Sequence, residues 1–460
     1  MRPGRNRLSR GSASWAVIGA AVASGAAGTV GCWVSGALDP QGSAAFGTFI
    51  LTAILWVTGA VPPHVAGLIS IALLAATLPT GLLRGEGEQP VRWMDIARQA
   101  VSPALVMTLA GMMLALGAAR TGVDRMIASR LLGPLLGRPA ALLATVLVTG
   151  AIMSMFMSNT AAAVLLLAIV VPIVSRMGVA SPAARAMVIA AALGPAVGGI
   201  ATPIGTTPNV IAFGLIRGAG LEFGFLAWIA IGVPLAAAVV TVSALLLRSL
   251  ARGFPSWPQF GDMIAAPRLG LAGWAWCATF AATVILWSSQ PWTGIPIEHS
   301  SLLPIVALPA LGLIRGSDIR TLDWRTLGLL FAGLVLGMSL GRTGVAQWIV
   351  AWSVPAAAPP FALFASFCAV SVVLSTFMSN TATASLLIPI ALAIEDRELA
   401  LPCALASALG CSLAVGLPVS TPPMLLAHAT GFVRPRELAM IGLVIGVLGT
   451  VAVTAVISLI

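Results

Sequence analysis

Residues 154–161 read Ser-Met-Phe-Met-Ser-Asn-Thr-Ala, and residues 375–382 read Ser-Thr-Phe-Met-Ser-Asn-Thr-Ala. Each octet sits midway along an interrupted apolar stretch, 139–175 in the first case and 360–395 in the second. A polar triplet flanked by long apolar arms suits the tip of a re-entrant helical hairpin. Non-helical backbone at membrane depth survives only against protein or a wet cavity. A second block extends the likeness: 110–123 (AGMMLALGAARTGV) aligns without gaps on 332–345 (AGLVLGMSLGRTGV) and shares the tail Arg-Thr-Gly-Val. The offset is 222 from Arg120 to Arg342 and 221 from Asn159 to Asn380, so one residue of slippage separates two matched blocks. Two matches in register mark a duplication.

The solvent around this repeat is lipid. Of 460 residues, 59% are hydrophobic and 8% charged, against about 25% charged in an ordinary soluble domain. Apolar runs long enough to cross a bilayer as helices recur along the whole chain, and the alternation of a membrane barrel is absent. The net charge of +10 could suggest nucleic acid, but all 24 basic residues are arginines set in short connections such as Arg315, Arg320 and Arg325. Basic loops in a membrane protein stay cytoplasmic. Arg2, Arg5, Arg7 and Arg10 therefore place the N-terminus inside a cell inner (plasma) membrane. A cleaved signal peptide over 1–30 is the rival reading, opposed by the length of the apolar run after Trp15. The five cysteines (Cys32, Cys277, Cys368, Cys403, Cys411) are scattered singly in apolar segments, with neither metal-ligand spacing nor a disulfide framework.

The organisation expected is all-α. Scaffold helices occupy 1–100, with spans near 14–37, 45–61 and 63–79 and a polar connection carrying Glu86, Glu88, Arg92 and Asp95. The first repeat covers 101–247, with its hairpin at 139–175 and a helix over 184–216 broken at Thr202-Pro203-Ile204-Gly205-Thr206-Thr207-Pro208. A polar connector at 248–270 carries Arg252, Pro255, Pro258 and Asp262. Scaffold helices return over 271–325, with spans at 271–288 and 302–315. The second repeat, 326–460, has its hairpin at 360–395 and a broken helix at 400–431. Three spans (222–247, 271–288, 302–315) separate the equivalent units, and an odd number inverts the second copy. Inverted repeats with interrupted helices point to a transport site at the bilayer midplane.

The helix that follows each tip exposes free backbone N–H groups, and such an N-terminus carries roughly half a positive charge and binds anions. Two facing tips would surround one small anionic substrate. The side-chain oxygens of Ser154, Ser158, Asn159, Ser375 and Asn380 supply the opposite field, and hard neutral oxygens suit a monovalent cation better than a divalent one. The bland alternative is interhelical glue worth about 0.6 kcal/mol per contact. Occurrence of the triplet in both repeats argues for a site. The paired breaks add to it: Pro203 matches Pro418, and Gly205-Thr206-Thr207-Pro208-Asn209 matches Ser420-Thr421-Pro422-Pro423-Met424. Proline frees carbonyls that can face an ion.

All fourteen acidic residues fall at span ends or loops, with Asp124, Glu222, Glu395 and Asp396 closest to the apolar cores. Proton-driven carriers usually need an intramembrane carboxylate, so that class is disfavoured. His428 reads as a hydrogen-bonded packing residue, and Arg120 and Arg342 as interface anchors rather than substrate clamps. No nucleophile–base pair or metal cluster suggests an enzyme, and a receptor or scaffold would not need paired polar breaks.

These residues resemble the divalent anion/sodium symporter family, over about residue 45 to the end. The resemblance implies eleven spans, two re-entrant hairpins, a homodimer and an elevator motion of the hairpin domain against a scaffold. It implies one sodium site from Ser154, Ser158, Asn159 and the backbone near Gly205, and a second from Ser375, Asn380 and the backbone near Ser420. Substrate carboxylates would meet Asn159 and Thr160 on one side and Asn380, Thr381, Thr207 and Pro422 on the other. Met424 departs from the family pattern, which has Asn there. The function expected is sodium-coupled symport of a small divalent anion, a C4-dicarboxylate. The alternatives are a sodium-independent exchanger and a carrier of sulfate, citrate or a metalloid oxyanion.

Overall fold

Both Ser-Asn-Thr triplets begin a helix, and the arms that meet at them have 13 to 18 residues. In the computed structural model, residues 6–79, 91–178, 180–251, 268–355 and 358–459 are described. Arg2, Arg5, Glu86, Glu88 and most of the 248–270 connector, including Arg252, Pro255, Pro258 and Asp262, lie outside the described residues. No strand occurs among the described residues. Three helices lead: α1 (Asn6–Ser35), α2 (Pro40–Thr58) and α3 (Pro63–Thr77). Then come α4 (Trp93–Gln99), α5 (Pro103–Thr121), α6 (Val123–Leu132), hairpin arms α7 (Pro139–Ser154) and α8 (Asn159–Ser175), broken pair α9 (Pro182–Gly198) and α10 (Thr207–Gly218), and α11 (Phe225–Ala251). The middle holds α12 (Leu271–Ser288), α13 (Gln290–Thr293) and α14 (Ile297–Ala310). The second series follows the same order: α15 (Gly316–Ile319), α16 (Trp324–Arg342), α17 (Val345–Ser353), hairpin arms α18 (Pro360–Phe377) and α19 (Asn380–Leu392), broken pair α20 (Arg397–Ser412) and α21 (Pro422–Ala429), and α22 (Pro435–Ile457).

Local chemistry sets these ends. Asp39, Ser102 and Ser181 each accept a backbone N–H as N-caps, and proline follows each at the first helical position, where its missing donor costs nothing. Gly122 (φ +73) and Gly344 (φ +71) turn the chain sharply at the ends of α5 and α16, in the left-handed region that glycine tolerates. Helix α14 runs Ile297–Ala310 rather than over the expected 302–315, because Gly312 at φ +69 stops it.

Nine helices among the described residues are long and apolar enough to cross a membrane, where the sequence suggested about eleven spans. The difference has a plain origin. Helices α3, α14 and α20 have 15, 14 and 16 residues and fall short alone, while the 18-residue hairpin arm α18 qualifies by length.

The broken helices form the centre of the molecule. Every residue from Ala186 to Pro203, and again from Pro402 to Gly416, is buried. Small residues let backbones touch there. A Cβ on Gly194 would lie 2.2 Å from the Leu147 carbonyl oxygen, and one on Gly198 would lie 2.2 Å from the Ala151 Cα, so α9 rides directly on α7. Gly410 of α20 approaches the Cys368 carbonyl oxygen of α18 in the same way. The two series interlock, with α10 packed on α19 and α20, and α21 packed on α8 and α9. Each post-break helix thus lies against the hairpin of the opposite repeat.

Candidate functional site

The first tip is held from three directions. Ser158 Oγ accepts the Ala161 N–H at 3.2 Å and caps α8. Ser154, the last residue of α7 and fully buried, donates its hydroxyl to Asn159 Oδ1 at 2.5 Å. Thr202, in the break after α9, donates to the Met155 carbonyl at 2.5 Å and ties the break to the tip.

The break itself is organised by Asn209. Its buried amide Nδ2 donates to the carbonyls of Gly199 (3.0 Å), Ile200 (3.3 Å) and Thr202 (2.9 Å). The Trp228 indole adds a bond to Ile200 at 3.1 Å. Carbonyls freed by the broken helix are thereby satisfied without helical geometry. Gly199 brings break and tip together: a Cβ there would lie 2.7 Å from the Gly205 carbonyl oxygen and 3.0 Å from Asn159 Oδ1. Ser154, Asn159, Gly199 and Gly205 therefore converge on one point. Ser158 is at the same tip with its side chain exposed, and Thr160 is half-buried beside it.

The second tip uses the same residue types with a different pattern of bonds. Ser375 is fully buried with its hydroxyl at the Cys411 thiol, and Asn380 Oδ1 has no hydrogen-bond partner, whereas their counterparts Ser154 and Asn159 are bonded together. Ser379 does not cap α19 through its side chain. Thr381 is buried at the start of α19, and its carbonyl accepts the Ser385 hydroxyl at 2.9 Å. In the second break Ser420 gives its hydroxyl to the Leu417 carbonyl at 2.6 Å. Thr421 caps α21 by accepting from Met424 N. Pro422 is exposed and Thr207 half-buried, each in the first turn of its post-break helix. Met424, at the place corresponding to Asn209, is buried and has no amide to give the break.

This donor set fits a monovalent cation. The oxygens are neutral hydroxyls, an amide and backbone carbonyls, and one buried acceptor of the second tip, Asn380 Oδ1, lacks a hydrogen-bond partner. No group of three His, Cys, Asp or Glu residues among the described residues could hold a metal. Beside these oxygens, α8 and α19 present their first N–H groups, a field suited to an anion. His428 Nδ1 lies 3.0 Å from the Val433 carbonyl oxygen, a packing contact. Sequence reasoning assigned no role to Gly199, Thr202, Asn209 or Trp228. Only Asn209, following the Thr-Pro pair, offered a signal.

Comparison with known proteins gives the same picture at the level of family. The profile of the CitMHS family, described as citrate transporter, matches residues 53–291 and 282–460. The chain is 25% identical over 359 residues to the inorganic phosphate transporter PHO87 of Saccharomyces cerevisiae, covering 75% of this chain and 38% of that protein. It is 25% identical over 456 residues to the sodium-dependent dicarboxylate transporter SdcS of Staphylococcus saprophyticus, covering 89% of this chain and 85% of that one. The chain thus spans under half the length of the yeast relative. The fold superposes on the YdaH transporter of Alcanivorax borkumensis with a TM-score of 0.54 at 15% identity, over 86% of this chain and 97% of that one. At that identity the likeness concerns the fold alone.

Proposed function

This chain belongs to the citrate transporter family, and from that premise we propose that it is a secondary transporter coupling sodium entry to import of a small divalent anion, a C4-dicarboxylate. The observation that carries the reading is the convergence of Ser154 Oγ, Asn159 Oδ1 and the Gly205 carbonyl around Gly199, next to the N-terminus of α8. Neutral oxygens seat the cation, and the amide ends of α8 and α19 receive the carboxylates, with Asn159, Thr160, Asn380, Thr381, Thr207 and Pro422 lining the anion. Sodium beside the anion offsets its charge, so that each species raises affinity for the other. The second cation seat would use Ser375, Asn380 and the backbone at Ser420. Sodium dependence and a dicarboxylate substrate are what the name of the staphylococcal relative states of that protein, and the yeast relative's name puts phosphate in the substrate panel.

The hairpins and broken helices would move together against α1–α5 and α12–α16 in an elevator motion, within a homodimer whose N-terminus is cytoplasmic. Uptake of labelled succinate into proteoliposomes, with and without an inward sodium gradient, tests the reading. Accumulation indifferent to sodium would discard symport. A sodium-independent exchanger is the second reading, favoured by Met424, which leaves the second break without the amide that braces the first. Asn159→Ala and Asn380→Ala should each abolish uptake in a folded protein. Normal uptake by both would remove the site assignment.

A further inference from the structure

A second pair of matched elements lies away from the tips. Arg92-x-x-Asp95-Ile96 stands just before the first repeat and Arg315-x-x-Asp318-Ile319 just before the second, an offset of 223 that extends the duplication to them. Each aspartate occupies the third position of a short helix, α4 or α15, and accepts the N–H of the arginine that caps it, at 2.9 Å in both cases. Both carboxylates are buried, with 9% and 7% of the side chain exposed. Each also takes an arginine from the opposite repeat. Arg342 Nη1 lies 2.8 Å from Asp95 Oδ2, and Arg120 Nη2 pairs with Asp318 Oδ1. These arginines lie in the last turns of α16 and α5, two residues before the left-handed elbows at Gly344 and Gly122. From the elbows α6 leads to hairpin arm α7, and α17 packs against hairpin arm α19.

Counting α9 with α10, then α11, α12, α14 and α16 as one crossing each, the proposed topology puts an odd number between Arg120 and Arg342 and sets one pair at each face. Inverted repeats are related by a pseudo-two-fold axis in the membrane plane, so letting each repeat take the conformation of the other generates a second state open to the opposite face. An interaction formed by both repeats at once survives that exchange. An interaction formed by only one of them changes sides. The bond between Ser154 and Asn159 and the cap from Ser158 belong to the first repeat alone, so the tips are what alternates. We infer that the Arg120–Asp318 and Arg342–Asp95 pairs are permanent struts, positioning residues that fix the two elbows from which the hairpins swing and that stay closed through the whole transport cycle.

The inference rests on the transport reading, and its test separates the two. Cysteines at both ends of a pair (Asp95→Cys with Arg342→Cys, or Arg120→Cys with Asp318→Cys) are bridged in proteoliposomes with a short bis-maleimide, in a Cys277→Ala background. Single-cysteine variants serve as controls. The bridged protein should keep at least half the dianion uptake of its unbridged form, and the bridging yield should be the same with and without succinate and sodium. A tenfold loss on bridging, or a yield that changes with substrate, overturns the inference. Should the double variants not fold, conservative ones decide. Arg120→Lys and Arg342→Lys should transport within about twofold of the parent. Arg120→Gln and Arg342→Gln should lose fivefold or more in maximal rate, with half-saturation for substrate and sodium unchanged. Unaltered rates, or shifted half-saturation, would refute the struts. Failure of the transport reading looks different: the unmodified protein then moves no dianion, with or without reagent.

Discussion

Substituting Gly199 by alanine tests the cation seat with the smallest possible probe. The added methyl would stand 2.7 Å from the Gly205 carbonyl oxygen and 3.0 Å from Asn159 Oδ1. Carbon and oxygen settle no closer than about 3.3 Å even in weak hydrogen-bonded contact, so the Gly205 oxygen must retreat by about half an ångström and Asn159 must turn. Overpacking of this kind costs about 1–3 kcal/mol. If the strain falls on the bound state, every 1.4 kcal/mol weakens the ion roughly tenfold, and the half-saturation for sodium rises between about fivefold and a hundredfold. The assay is a sodium titration of succinate uptake in proteoliposomes, alongside thermal unfolding in detergent. Gly328→Ala, where the added Cβ meets nothing within 4 Å, serves as the control. A folded Gly199→Ala protein with the parental sodium curve would refute the seat.

Three further outcomes follow from the same geometry. Asn209→Ala strips bonds from the Gly199, Ile200 and Thr202 carbonyls, should cost about 1–3 kcal/mol, and should lower the unfolding temperature by several degrees. Thr202→Val cuts the tie between the first break and Met155 and should slow uptake about fivefold, the equivalent of about 1 kcal/mol, with little change in expression. Ser375→Ala should separate transport from stability. Its buried hydroxyl meets the Cys411 thiol, a weak partner, so its loss should leave the unfolding temperature little changed, while half-saturation for sodium rises.

Much of this architecture is legible in the letters because its helices begin and end with explicit local chemistry. Proline at 139, Ser158-Asn159 and Ser379-Asn380 delimit the hairpin arms, and those arms run Pro139–Ser154, Asn159–Ser175, Pro360–Phe377 and Asn380–Leu392. What stayed hidden depends on contacts across long stretches of chain. Nothing near Arg120 announces Asp318, and nothing near Arg342 announces Asp95. The sequence placed both arginines at interfaces, and the repeated Arg-x-x-Asp-Ile was the one available hint of their partners. Gly199 is a single glycine in a glycine-rich run, and only the approach of Gly205 and Asn159 distinguishes it. The difference between the tips is likewise invisible in identical triplets, since it is a matter of which hydroxyl meets which amide.

The contact of α9 with α7 through Gly194 and Gly198 has a kinetic corollary. Two backbones that touch without intervening side chains have no rotamers to shuffle, so one cannot slide past the other without first parting. Helices α7 and α9 would then make the passage as a single stiff vehicle, whatever rearranges at the tip they carry. On the proposed coupling, a carrier built like this guards against slippage, the wasteful crossing of an ion without its passenger. A bulkier residue at position 194 or 198 would let the driver leave the cargo behind.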